Sequence, residues 1–225
     1  MTWQITTFAL LGVLLAGGFT WYERTHPTSK VLAMVATLAA LAALGRIAFA
    51  PLPNVKPTTD IVLLTGFVLG GAPGFAVGAL GALSSNLVFG QGPWTPWQMA
   101  AWGLVGIIGA AWARVTGRRL PRVATAVLCA SCGMLYGAIT NLSTLTAAGR
   151  TPSLAQWAAT EAAGLPFDIA HAVGNVVFFL AFGPAFVRVL QRYRARLEVR
   201  WTDAEPRLAD ERAATTLIPT PEPHR

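Results

Sequence analysis

Long apolar blocks, divided by short stretches rich in proline, glycine and arginine, make up most of this chain. The first, Phe8 to Tyr22, has no basic residue before it and is followed by Glu23-Arg24. A secretory signal needs a positive start and a small-residue cleavage site, so this block predicts an uncleaved spanning helix. The second, Lys30 to Ala50, is rich in alanine and stops at Pro51 and Pro53, because proline cannot extend a helix. Thr59 to Phe89 is too long for one simple span of ~20 residues. Gly70, Gly71, Pro73 and Gly74 divide it into a short helix from Thr59 to Leu69 and a longer one from Phe75 to Phe89. A turn-rich loop, Gly90 to Pro96, leads to a helix from Trp97 to Val115, and another follows from Val123 to Asn141. A polar connection from Ser143 to Ala163 precedes the last helix, Leu165 to Arg192. The pattern predicts seven membrane helices, one of them short.

Composition supports this picture. Apolar residues are 54% of the chain and charged residues only 12%, against about 25% charged in soluble domains. Six of the ten acidic residues lie beyond residue 197, so the body of the chain is almost free of carboxylates. The expected fold is all-α, a polytopic membrane helix bundle, and soluble enzymes and nucleic-acid binders are excluded. The net charge of +7 therefore reports orientation in a membrane rather than affinity for nucleic acid. One set of helix ends carries ten basic residues: Arg24, Lys30, Arg114, Arg118, Arg119, Arg122, Arg188, Arg192, Arg194 and Arg196. The opposite ends carry two, Lys56 and Arg150, with Glu161. The expected C-terminus is cytoplasmic and the N-terminus outside; were the first block not a span, the N-terminus alone would move inside. Three segments are expected: an N-terminal helix and linker (1–29), a membrane domain (30–197) and a disordered cytoplasmic tail (198–225).

Polar residues at membrane depth gather toward the expected outer side. Arg46 lies near the end of the second helix, Asp60 opens the short one, and Asn86 is near the end of the next. Gln98 and Trp102, four apart, share a face, Asn141 closes its helix, and Asp168, His171 and Asn175 form one stripe. Ionisable groups in a bilayer are costly and mark functional cavities by default. Structural pairing is the alternative: Arg46 with Asp60 or Asp168, and asparagines bonding across helices. Such pairing gives no reason for one-sided clustering, whereas an outward-facing pocket does. In the loop over it, Pro93 and Pro96 stiffen the chain and Trp94 and Trp97, each directly after a proline, form a candidate aromatic lid, although tryptophan favours membrane interfaces in any case.

The other half carries small residues. Ala36 and Ala40, and Ala39 and Ala43, repeat at four-residue spacing, as do Gly66, Gly70, Gly74, Gly78 and Ala82. Such spacing lets helices approach closely; internal packing suits the glycines, and the alanine face is also open to a partner protein. No GxxxxGK[ST] occurs, so a P-loop ATPase is excluded. Ser84, Ser85, His171 and Asp168 fit no hydrolase motif, and Cys129 and Cys132, three apart in an apolar run, read as inert small residues. No metal, cofactor or catalytic residue is expected.

Arg46 with Pro51-Leu52-Pro53-Asn54-Val55-Lys56-Pro57-Thr58, followed by Gly70-Gly71-Ala72-Pro73-Gly74 and Gly78, resembles the S components of energy-coupling factor (ECF) vitamin transporters. The run Phe89 to Met99, which includes Gln91, and Pro166-Phe167-Asp168 with His171 and Asn175 resemble the cobalamin-linked branch. The resemblance covers residues 30 to 197 and implies a six-helix body, the first helix and the tail being additions. It further implies a substrate-binding subunit that captures a vitamin on the outer face and works with a transmembrane coupling subunit and two ATP-binding subunits. In that family the alanine pattern of the second helix docks on the coupling subunit. The implied ligand is cobalamin or a related corrinoid, with riboflavin or thiamine as alternatives; a non-transport assembly factor or an intramembrane enzyme is the competing class. An amide-rich, aromatic-capped pocket suits a corrinoid better than a small anionic vitamin, which would call for more than one buried cation. The candidate ligand-binding residues are Arg46, Lys56, Asp60, Asn86, Gln91, Trp94, Trp97, Gln98, Trp102, Asn141, Asp168, His171 and Asn175.

Overall fold

A computed structural model describes residues 2–147 and 153–197; the expected tail and Arg150 lie outside the described residues. The described chain forms seven helices: α1 (Thr2–Glu23), α2 (Ser29–Ala48), α3 (Thr58–Leu69), α4 (Gly71–Phe89), α5 (Thr95–Val115), α6 (Arg122–Ala147) and α7 (Leu154–Leu197). Five of them, α1, α2, α4, α6 and α7, are long and apolar enough to cross a membrane. The 21-residue α5 and the 12-residue α3 complete the bundle. Leu10, Val13, Leu44, Leu87, Val177 and Leu180 point outward, as a lipid-facing surface requires.

The break between α3 and α4 is one residue, Gly70, rather than the five (70–74) expected. Gly70 takes a φ of 105°, a conformation that glycine reaches without steric cost. Pro73 lies in the first turn of α4, where its missing N–H removes no intrahelical bond. Arg118 and Arg194 both donate to the Val68 carbonyl that the break leaves free, at 3.4 and 2.8 Å.

The expected polar connection from Ser143 to Ala163 is instead mostly helical. Ser143, Thr146 and Thr160 each donate their hydroxyl to a carbonyl three or four residues back, so their polarity is absorbed by the helix itself. Ser153 and Gln156 cap α7 reciprocally: the Gln156 N–H donates to Ser153 Oγ at 3.2 Å, and the Ser153 N–H donates to Gln156 Oε1 at 3.1 Å.

At the centre, α3, α4 and α5 meet backbone to backbone. A Cβ on Gly66 would overlap the Gly106 carbonyl, one on Gly109 the Leu63 carbonyl, and one on Gly78 the Trp102 carbonyl. On α2, Ala39 and Ala43 are buried toward the bundle while Ala36 and Ala40 are exposed, so only one pair of the alanine face is free. The first helix packs more loosely. Phe19 meets Phe75 edge to face at 5.5 Å, Gln4 donates to the Thr146 carbonyl, and an apolar groove of about 470 Å³ separates α1 from α4, α5 and α6.

The glycine seam yields a test. Gly106→Ala drives a methyl into the Gly74 backbone, which cannot rotate away. It should cost about 1–3 kcal/mol or more and lower the melting midpoint of purified protein by roughly 2–12 °C. Gly17→Ala, with nothing within 4 Å of the new methyl, should leave the midpoint unchanged.

Candidate functional site

The polar residues predicted to converge lie along the inner faces of α3, α6 and α7 and around the end of α2. Arg46 is the only cation on α2 beyond its first turn. Its Nη1 donates to Ser85 Oγ at 2.7 Å and to Asn86 Oδ1 at 2.6 Å. The guanidinium also lies 4.6 Å from the Phe89 ring centroid and 5.3 Å from that of Trp102. Its recorded partners are thus an amide, a hydroxyl and two rings, not the pairing with Asp60 or Asp168 considered above.

The α2–α3 connection, residues 49–57, brings in a second cation. Asn54 takes a left-handed φ of 59° and donates its amide to the Phe167 carbonyl of α7 at 2.8 Å. That fixes Oδ1 to accept from Lys56 Nζ at 2.6 Å. Lys56 lies 5.0 Å from the Tyr136 ring centroid and 5.7 Å from that of Trp102. It sits in the connection rather than in a spanning helix. Burial first, and then the Arg46 guanidinium, push its ammonium down to about 7, while Asp168 acts in the opposite direction. Between the connection and Arg46 is a small cleft of about 150 Å³ lined also by Phe49 and Phe89.

Beneath the two cations is a ring platform. Trp102 stacks on Tyr136 with centroids 4.3 Å apart, and Tyr136 meets the His171 ring edge-on at 5.3 Å. Trp102 Nε1 donates to Thr59 Oγ1 at 3.0 Å, and the same hydroxyl lies 2.8 Å from His171 Nε2. His171 thus bonds Thr59 across the bundle. Asp168 and Asn175 of the α7 stripe fit because α6 presents glycines opposite them. A Cβ on Gly137 would overlap the Asp168 carboxylate, and one on Gly133 would press on the Asn175 amide. Asn175 Nδ2 donates to the Cys129 carbonyl at 3.0 Å. At the near end of this column Asn141 donates to Glu161 at 3.2 Å.

Asp60 is fully buried beside the thiols of Cys129 and Cys132, and among the described residues its oxygens have no hydrogen-bond partner beyond the weak donor thiol of Cys129. His171 Nδ1 and Asn175 Oδ1 are likewise buried without partners. Beyond these groups the interior turns apolar, with Leu63, Leu64, Phe67 and Phe179 fully buried.

The loop amides have a different position from that expected of ligand contacts. Asn86 Nδ2 donates to Gln98 Oε1 and Thr95 Oγ1, Thr95 Oγ1 donates to Gln91 Oε1, and Gln91 Nε2 donates to the Leu83 carbonyl. Asn86, Gln91 and Gln98 thereby pin the α4–α5 loop and orient Arg46. Trp94 is exposed and packs over its own loop at Gly92. Trp97 turns away and lines the groove against α1, its Nε1 unpartnered. The rings around the cations are Trp102, Tyr136 and Phe89. Sequence reasoning missed Tyr136 and Thr59; Gly133 and Gly137, four apart and flanking Tyr136 on α6, were a readable signal for the first.

Among the described residues no group of three or more His, Cys, Asp or Glu side chains could hold a metal ion. The arrangement is a mixed cation, ring and acceptor pocket, suited to binding rather than to bond cleavage. No curated protein and no solved structure matches the chain. Residues 27–188 match the family model described as ECF-type riboflavin transporter, S component, which spans the bundle from the start of α2 into α7 and leaves out α1. Such components are transporter subunits rather than enzymes, and work with an energy-coupling module on a vitamin substrate. The chain belongs to the family of S components of ECF-type transporters.

Proposed function

We propose that this subunit captures a flat, uncharged, ring-bearing vitamin of the flavin class, and that the Arg46 end of the bundle faces outside. The observation that carries the ligand class is the convergence of Arg46 and Lys56 on the Trp102 ring, which stacks on Tyr136. Two cations over a ring platform suit a planar heteroaromatic ligand whose edge carbonyls and ring nitrogens accept hydrogen bonds. Thiamine, itself a cation, would be repelled by the same pair. The family's riboflavin name supports the flavin reading. A corrinoid is the second reading, favoured by the loop run Gly90 to Met99. Its main argument was an amide-rich wall, and Asn86, Gln91 and Gln98 are engaged with one another. The coupling subunit with two ATP-binding subunits is the proposed energy source, since the chain has no P-loop.

Riboflavin, thiamine and cyanocobalamin titrated against purified protein separate the ligands. Riboflavin should bind with quenching of its fluorescence. Trp102→Leu should weaken it about 5- to 150-fold, the equivalent of about 1–3 kcal/mol for one lost ring stack. Binding of cyanocobalamin without riboflavin would replace the flavin reading by the corrinoid one.

Orientation is accessible through single cysteines, because native Cys129 and Cys132 are buried. Leu52→Cys in the α2–α3 connection should react with an impermeant maleimide in intact cells, and Arg119→Cys in the α5–α6 connection only after permeabilisation. The reverse pattern would invert the protein and place the pocket inside.

Ala36 and Ala40, exposed on α2, are the proposed docking positions for the coupling subunit. Changing both to Trp should abolish co-purification with that subunit and uptake, while riboflavin affinity of the isolated protein stays within about twofold. An equal loss of affinity would mark them as internal packing.

A further inference from the structure

Three buried polar groups below the ring platform have no use in the closed bundle. Asp60 on α3 has no hydrogen-bond partner among the described residues beyond the weak donor thiol of Cys129, and His171 and Asn175 on α7 have one unpartnered atom each. All three side chains are fully buried. They belong to one place: Asp60 lies beside the Cys129 thiol, and Asn175 bonds the Cys129 carbonyl. His171 bonds Thr59, the residue before Asp60. Unsatisfied polar groups at membrane depth are costly, and a site that keeps several together is built to meet something.

Their hydrogen-bond roles state what that something is. Thr59 Oγ1 accepts from the Trp102 N–H and still has both a hydrogen and a second lone pair for His171 Nε2 at 2.8 Å. His171 Nδ1 faces the site as a donor in one tautomer and as an acceptor in the other. Asp60 offers two acceptors and Asn175 Oδ1 a third. A phosphate only accepts and an ammonium only donates. A hydroxyl does both, so several in a row match the three acceptors and either state of His171 Nδ1.

We infer, resting on the flavin-class reading of the site, that Asp60, His171 and Asn175 form a hydroxyl-binding subsite for the polyhydroxylated side chain of the vitamin, below a ring held at Trp102. The acceptor-rich ring edge then meets Arg46 and Lys56, and the donor-rich chain meets the orphaned acceptors. The two ends of the pocket have opposite hydrogen-bond polarity, and so have the two ends of the ligand. All three groups are fully buried in this arrangement, so in this proposal the ligand reaches them by displacing the 49–57 connection.

Riboflavin and lumiflavin, which has the same ring system but a methyl in place of the hydroxylated chain, test this on purified full-length protein. Wild-type protein should bind riboflavin at least about tenfold tighter than lumiflavin. In Asp60→Asn, Asp60→Leu and Asn175→Leu that ratio should fall toward one. Asp60→Leu should also melt higher than wild type in the absence of ligand, because it removes a buried, unpaired carboxyl. A ratio near one in the wild type, or a ratio unchanged by Asp60→Asn and Asn175→Leu, overturns the subsite while leaving the ring site intact. A lower melting midpoint for Asp60→Leu with an unchanged ratio shows a structural carboxyl and also overturns it. If neither flavin binds, the ligand class fails and the subsite with it.

Discussion

Backbone contact among α3, α4 and α5 is the constraint on which the rest of this structure depends. Lipid tails are as apolar as leucine, so helices in a bilayer associate through close packing rather than through the hydrophobic effect. Gly66, Gly74 and Gly106 let three helices touch where any side chain would hold them apart. Gly78 then brings α4 against the backbone of Trp102. Only at this separation does the Trp102 indole reach Thr59 on α3, and Thr59 in turn reach His171 on α7. A helix 12 residues long thus becomes the meeting point of two others.

The α6–α7 contact uses the same device for the opposite purpose. Gly133 and Gly137 admit Asn175 and Asp168, and Gly164 admits Asn141, so missing side chains on one helix leave room for polar ones on the other. One face of the core is sealed by glycine against backbone, the other made hydrophilic by glycine against amide and carboxylate. Apolar closure below Asp60 and Asn175 gives the hydrophilic part a floor.

Helix positions were legible because apolar blocks and proline or glycine breaks act locally, and the Asp168, His171 and Asn175 stripe because helical period alone sets it. The capping pair Ser153 and Gln156 was equally local and was overlooked, which turned two helix ends into a connection. What spacing cannot supply is the partner across the bundle. Asn86, Gln91 and Gln98 look like a ligand wall when read one by one, yet they bond to one another and to Thr95. Trp94 and Trp97 look like a lid, but one covers Gly92 and the other faces α1. The alanine face of α2 divides for the same reason: a four-residue repeat identifies a stripe, and only the neighbouring helix decides which pair it covers.

The depth profile of the interior bears on how a captured vitamin would leave. Polar groups extend from Asn141 and Glu161 through Asp168, Lys56 and His171 to Asn175 and Asp60. Past them, Leu63, Leu64, Phe67 and Phe179 fill the core, and arginines close the far end on the Val68 carbonyl. A hydrophilic ligand held above that floor has no polar route through the bundle, so passage by this chain alone would require desolvating it among leucine and phenylalanine. Moving the bundle against a partner avoids that cost, since the ligand keeps its hydrogen bonds while the protein changes position. The glycine seam suits such a motion, because a core held backbone to backbone moves as one body.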